Sequence, residues 1–272
     1  MPLRRPLAAV GSLAALTALA GFAAPTASAT PTWAPAASAT IHPGVQTFTE
    51  GAQCTANFVF TDAVDVFIGQ AAHCSGTGSA TETDGCDSAS LPLGTEVEID
   101  GASQPGVMVY NSWLAMQAAG ETDPNTCAYN DFALVRIHPT DHDKVNPSIP
   151  FWGGPVALGD ETAPLETVYS YGNSILRLGL AALSPKQGIS LGTTGGGWSH
   201  HVYTVTPGIP GDSGSAFLDS AGSAIGVLST IQLAPLVASN GVSDLGSALD
   251  YARSQGFAVH LEPGTEPFSP IL

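Results

Sequence analysis

Three short segments carry side chains that could cooperate in acyl transfer: Ala71-Ala72-His73-Cys74, Asn130-Asp131-Phe132-Ala133-Leu134 and Gly211-Asp212-Ser213-Gly214-Ser215. A serine hydroxyl is a weak nucleophile at neutral pH until an imidazole takes its proton. The imidazole in turn keeps a usable tautomer only while a carboxylate accepts its other N–H. His73, Asp131 and Ser213 supply those parts as base, orienting acid and nucleophile. If Asp131 were only a turn residue at a strand start, Asp141 and Asp143 would be the alternatives. Neither borders an apolar run like Phe132-Ala133-Leu134-Val135.

Each motif alone is a weak signal, but three in the order His, Asp, Ser are a strong one. On these residues the chain resembles the chymotrypsin-like (trypsin-type) serine proteases, as a secreted bacterial member. The resemblance spans roughly residues 41–257, although the motifs cover only short windows of it. It implies an all-β fold of two antiparallel β-barrels with the active site between them and a short C-terminal helix. The implied activity is that of a serine endopeptidase working through an acyl-enzyme, with no cofactor and no metal. Two departures stand out. Ser215 occupies the place of a second glycine, similar to the glutamyl-endopeptidase branch, and no Arg-Ile-Val-Gly-Gly activation site is present.

The same resemblance assigns further roles. The backbone N–H groups of Gly211 and Ser213 would form the oxyanion hole, glycine letting the peptide orient without a side-chain clash. Asp212 would hold that loop in shape through an ion pair, either with an amine freed at Ile41 or with Arg177, unless it simply faces solvent. Ser229 resembles the serine that hydrogen-bonds the triad aspartate. The substrate pocket would be built from Pro207, Gly208 and Ile209 with walls at Leu228, Ile231 and Gly241. None of these is charged, so tryptic specificity is not expected and an apolar or small P1 side chain is. Glutamyl specificity is the alternative reading, although Leu228 stands where that branch carries a histidine.

The elements that must position these groups read as short strands. Segments 55–60, 64–68, 95–100, 107–110, 132–137, 167–171, 202–205, 215–218 and 224–228 have strand character and are separated by Gly, Pro, Asp and Ser, the rhythm of an all-β sandwich or barrel protein. Residues 95–100 alternate strictly, as a strand with one wet face does. One helix is predicted near the end, where Leu245, Ala248, Leu249 and Ala252 share a face, with Ser243 or Asp244 as its start and Gly256 as its stop. The expected layout is a first barrel over about 41–150, a second over about 151–242 and the helix over about 243–256, within a protease domain of 41–272.

The chain's envelope fits export. Arg4 and Arg5 precede an apolar run over 7–24 and the small-residue site Ala27-Ser28-Ala29, which predicts a signal peptide over 1–29. Gly11 and Gly21 interrupt the run, so it would span a bilayer poorly. Residues 30–40 read as a flexible leader or short pro-segment, with a second small-residue site at Ala37-Ser38-Ala39. The expected location is extracellular, with no membrane association after cleavage and a monomeric state. Loss of Arg4 and Arg5 takes the net charge from −16 to about −18 and leaves Arg136, Lys144, Arg177, Lys186 and Arg253 as the fixed cations. That surface disfavours nucleic acid as a partner and leaves proteins or peptides as substrates. Four cysteines in an exported chain suggest two disulfides with three possible connectivities. The resemblance implies Cys54–Cys74, which would pin the histidine loop, and with it Cys86–Cys127.

Other readings were available. Ser213, Asp244 or Asp250, and His260 give the order of an α/β-hydrolase, but that fold needs a glycine at position 215 and alternating helices. A non-catalytic homologue acting as a binding protein would be favoured by loss of a triad residue, and none is lost. His138, His142, the His200-His201 pair and above all Asp141-His142-Asp143 could suggest a metal, but adjacent positions point in different directions and the loops near Pro139 are solvated, so none is expected.

Overall fold

The computed structural model describes residues 31–79, 83–233 and 235–270; the predicted signal peptide over 1–29 lies outside the described residues. Among the described residues, fourteen strands and three α-helices follow in chain order. The first lobe holds β1 (Gln46–Thr49), β2 (Ala52–Thr55), β3 (Val59–Thr61), β4 (Val66–Gln70), β5 (Glu96–Ile99), β6 (Gly106–Asn111), α1 (Ser112–Ala119), α2 (Pro124–Tyr129) and β7 (Ala133–Arg136). The second holds β8 (Thr167–Tyr171), β9 (Pro185–Thr194), β10 (Ser199–Thr204), β11 (Ala216–Leu218), β12 (Ala224–Gln232) and β13 (Ser239–Asp244). It is followed by α3 (Leu245–Ser254) and β14 (His260–Leu261). The first lobe is an eight-stranded sheet in the order β14-β3-β4-β7-β6-β5-β1-β2. The second is a closed barrel in the order β10-β13-β12-β11-β8-β9. The strand pairings within both are antiparallel.

Burial follows sequence pattern where the strands are apolar on both faces. β4 reads Val-Phe-Ile-Gly-Gln and is buried throughout, whereas β5 alternates exposed and buried residues as its Glu-Val-Glu-Ile sequence requires. An aromatic group of Phe60, Phe67, Tyr110, Phe132 and Phe257 packs edge-to-face or tilted in the core behind the histidine loop. Asp244 caps α3 through Ser247 N–H, and the buried face of that helix is Leu245, Ala248, Leu249 and Ala252, as predicted.

Several elements differ from the sequence expectation. The predicted strand over 55–60 divides into β2 and β3, because Asn57 turns its side chain onto Phe58 N–H and its backbone crosses to Gly69. β9 carries Gly, Ser and Thr in place of an apolar alternation and so gave no strand signal, yet it pairs along its length with β8 and β10. α1 and α2 were not predicted. α1 lacks a continuous apolar stripe, but Asn111 caps Trp113 and Leu114 N–H and Gly120 closes it in a left-handed conformation. α2 starts at Asp123-Pro124, a cap followed by proline in the first turn.

Residues 33–40, read as part of a flexible leader, lie against the first lobe. Ala34 N–H bonds to Val145 O, Thr40 N–H to Lys144 O and Asn146 Nδ2 to Ala34 O, while Trp33 packs on the cluster that contains Ile41. At the other end β14 joins β3, and Glu262, Gly264, Glu266 and Ser269 bond to backbone at Val59, Pro155, Gly154 and Trp152. The tail therefore fastens the second lobe's helix back onto the first lobe and the linker between the lobes.

Candidate active site

β4 ends at Gln70, and the buried Ala71-Ala72 pair leads into a single 3-10 turn carrying His73. Asp131 lies between α2 and β7. Its carboxylate meets the histidine twice: Oδ1 accepts His73 N–H at 2.9 Å and Oδ2 lies 2.7 Å from Nδ1. Ser229 of β12 donates to the same Oδ2 at 2.5 Å, and Ser243 Oγ accepts Asp131 N–H at 3.2 Å. An ionised carboxylate only accepts, so Nδ1 carries the hydrogen and Nε2 is left with its lone pair. Burial disfavours the imidazolium, but the adjacent Asp131 charge and hydrogen bond outweigh it and hold the His73 pKa above its ordinary value. Burial likewise opposes ionisation of Asp131, and the His73 charge with the His73 and Ser229 hydrogen bonds reverses this, holding its pKa below the ordinary carboxylate range. Cys74, next to the histidine, is bonded to Cys54 of β2, and Cys86 to Cys127 of α2. The first bridge ties the histidine turn to the sheet. Both cysteines beside His73 are thereby spent as ligands, since metal binding needs the thiolate.

Ser213 sits in the turn that enters β11. Its carbonyl accepts Thr55 N–H at 2.8 Å and Gly214 N–H bonds to Leu228 O at 2.7 Å, so the turn is stitched to both lobes. Gly214 has φ +87°, and a side chain there would lie 2.5 Å from Thr55 O, which only glycine avoids. Ser213 and His73 line one cavity of about 690 Å³ without a hydrogen bond between them. Bonds of this kind commonly tighten only when substrate is bound. Among the described residues the amide N–H groups of Gly211 and Ser213 have no hydrogen-bond acceptor.

Asp212 is buried beneath this loop and bonds to Arg177 Nη2 at 2.5 Å and Lys186 Nζ at 3.0 Å. Ser174 N–H and Ile209 N–H also donate to it, at 3.0 and 3.1 Å. Burial raises its pKa, but the Arg177 hydrogen bond and the Lys186 charge more than reverse this and leave it below the ordinary range. Burial lowers the Lys186 pKa despite Asp212. Of the two proposed partners the structure brings Arg177. Ile41 is buried in the first lobe with its N–H on Lys144 O, so it does not meet Asp212. Lys186 was missed. The available signal was one of only seven Lys and Arg residues of the chain standing in a stretch, 167–211, that holds no Asp or Glu.

Of the predicted pocket residues, Gly208, Ile209, Leu228 and Ile231 line the cavity, together with Trp113, Ser229 and Thr230. Pro207 and Gly241 do not. Pro207 turns its carbonyl to Lys186 Nζ at 3.2 Å, and Gly241 faces Thr230 across the β12–β13 pair, where the Thr230 hydroxyl fills the space a side chain would need. Asn240, missed because Asn in a strand reads as a turn residue, is fully buried. It accepts Gly208 N–H at 3.0 Å and donates to Thr230 O at 3.2 Å. It thus braces the two walls. No Asp, Glu, Lys or Arg is among the described lining residues.

The remaining candidates go elsewhere. Asp141 is held by Ser103, Gln104 and Lys144, and Asp250 pairs with Arg253 on the exposed face of α3. His200 is buried against Asp244, Thr162 and Thr193, and His260 lies in β14, so the α/β-hydrolase order is not assembled.

No protein-family model and no curated protein sequence matches the chain. Solved structures do. Thermobifida fusca Protease A superposes with a TM-score of 0.54 over 82% of this chain and 99% of its own, at 18% identity. A glutamic acid specific serine protease that uses a histidine triad in substrate binding gives 0.52 over 82% and 100%, at 14% identity. A Glu endopeptidase in complex with MPD gives 0.50 over 78% and 89%, at 15% identity. The chain therefore has the two-lobed all-β fold of chymotrypsin-like serine proteases. Fold alone does not carry an activity, which has to be argued from the site.

Proposed function

We propose that this chymotrypsin-type fold serves a secreted serine endopeptidase, in which His73, Asp131 and Ser213 are the catalytic residues. The observation that carries the reading is the Ser229–Asp131–His73 hydrogen-bond chain ending in a free imidazole nitrogen inside the cavity that Ser213 also lines. Ser213 Oγ attacks the scissile carbonyl as His73 Nε2 takes its proton, and the carbonyl oxygen becomes an oxyanion facing the Gly211 and Ser213 N–H groups. The C–N bond then breaks, the amine leaves with the proton from His73, and an ester to Ser213 remains. Water, deprotonated by His73, hydrolyses the ester, and the proton returns to Ser213.

A fluorophosphonate probe tests this on the wild-type protein. The expected result is one covalent adduct, mapped by peptide mass spectrometry to Ser213. An intact protein that takes no adduct leaves the non-catalytic binding role in its place.

The pocket favours small apolar P1 side chains. A Cβ at Gly208 would lie 2.8 Å from Leu228 and 2.9 Å from Asn240, so the lining residues Gly208 and Leu228 pack closely, with Asn240 against Gly208. The histidine-triad neighbour acts on glutamate; here His73 is the one histidine among the described lining residues, and no cation meets a P1 carboxylate. Peptide libraries should therefore give kcat/KM for Ala or Val at P1 about a hundredfold above Glu or Lys. Leu228→Ala shortens a lining side chain and should raise Phe relative to Ala at P1 by about tenfold or more. A glutamate preference in the wild type would refute the pocket reading and leave the triad untouched.

A further inference from the structure

The two unbonded amides assigned to the oxyanion hole, those of Gly211 and Ser213, belong to peptide planes whose carbonyls lie at the other end. A trans peptide is flat, with C=O and N–H pointing in opposite directions, so whatever grips the carbonyl also aims the N–H. The Gly211 N–H shares its plane with the Pro210 carbonyl, which accepts Ser174 Oγ at 2.6 Å. The Ser213 N–H shares its plane with the Asp212 carbonyl, which accepts Ser215 Oγ at 2.5 Å and Ser215 N–H at 3.0 Å. Both serines are buried.

Ser174 is itself fixed. Its N–H donates to Asp212 Oδ1 and its Oγ accepts Leu176 N–H at 3.1 Å, so the grip is continuous with the buried ion pair. The intervening Gly211 carbonyl is held by Gln53 Nε2 at 3.0 Å and Thr55 Oγ1 at 2.8 Å. Gly211 has φ +93°, and glycine passes between φ signs at little cost. The Pro210–Gly211 plane is thus the one the backbone can most easily turn over, which would exchange the directions of its carbonyl and its N–H.

We propose that Ser174 and Ser215 are positioning residues that aim the two oxyanion-hole donors, one hydroxyl per peptide plane. This rests on the endopeptidase reading above. It also gives Ser215 a task at the position where the resemblance expects glycine.

The test is steady-state kinetics on Ser174→Ala, Ser215→Ala and the double variant, with a peptide aldehyde and the matching peptide alcohol as inhibitors. The aldehyde adds to Ser213 and puts an oxyanion in the hole; the alcohol only binds. Loss of one donor costs about a hundredfold to a thousandfold in kcat, and mis-aiming it somewhat less. Ser174→Ala should therefore lower kcat by about ten- to a hundredfold with KM within about threefold. Ser215→Ala, which keeps the backbone bond to Asp212, should lower it by about three- to tenfold. Aldehyde affinity should fall by the same factors while alcohol affinity holds, and Ser174→Thr should restore most of kcat.

If Ser174→Ala fails to fold, the Ser215→Ala ratio of aldehyde to alcohol affinity decides. Folded variants with kcat within about twofold of wild type, or with equal losses for aldehyde and alcohol, overturn the proposal. Wild-type protein without turnover removes the endopeptidase reading and this proposal together, whereas an active wild type with unaffected variants removes this one alone.

Discussion

Ser213→Ala and His73→Ala are each expected to lower kcat by about a millionfold, and the double variant by no more than either single one. The non-additivity follows from the proton path: an unactivated hydroxyl and a base with nothing to deprotonate are equally useless. Asp131→Asn should cost less, about ten-thousandfold, since the imidazole remains but its tautomer is no longer dictated by a carboxylate. The pH profile separates these effects. Protonated His73 cannot accept the serine proton, so kcat/KM falls as pH drops through the His73 pKa, which Asp131 holds above its ordinary 6.5. In Asp131→Asn only burial remains to act on the imidazole, and the acid limb should move to lower pH. Measuring kcat/KM from pH 4 to 9 on wild type and variant checks this. Multiplicative losses in the double variant, or an acid limb that stays in place, would contradict a shared triad.

Asp212→Asn should produce the largest loss of stability. It leaves Arg177 and Lys186 buried near one another without their counter-ion, a change worth about 3–5 kcal/mol and a fall in Tm of roughly 10 °C. The pH dependence has a definite sign. The Asp212 pKa is depressed on folding, so its contribution is complete above the unfolded value of 3.8 and is lost as pH falls through the folded one. The Lys186 pKa is also depressed, which penalises folding while the amine is charged and relieves it as pH rises. The gap between wild type and variant should therefore be widest near neutrality and narrow toward both acid and alkali, as read by urea melts across pH. Arg177→Ala keeps the Lys186 pair and should lose less. A gap independent of pH would mean that the two cations are not partnered through Asp212 in solution.

The candidate site was legible where chemistry is local. His73 with Cys74, Asp131 before its apolar strand and the Gly211–Ser215 turn each carry their constraint within a few residues, and the structure brings them to one place. The α3 face was legible for the same reason, because a helix writes its burial at three- and four-residue spacing. β9 was not, since its Gly, Ser and Thr residues are held by ladder hydrogen bonds to β8 and β10 that leave no apolar period. α1 and α2 were marked only by single capping residues. Residues 33–40 showed a loose composition and gained order from backbone bonds to Lys144 and Val145, more than a hundred positions away.

By itself, then, the amino-acid order determined which groups could do acyl chemistry, that the fold is built of β lobes, and that four cysteines were available to pair. Tertiary structure alone decided what lies under and beside the reacting groups: Lys186 with Arg177 on Asp212, Asn240 across the pocket walls, Ser174 and Ser215 on the loop carbonyls. The reason is physical. A motif records groups whose relative position the neighbouring backbone sets, whereas buried charges, braces and carbonyl grips are satisfied by whatever residue the packed chain delivers. Its identity is constrained by desolvation and hydrogen-bond reach rather than by spacing along the chain.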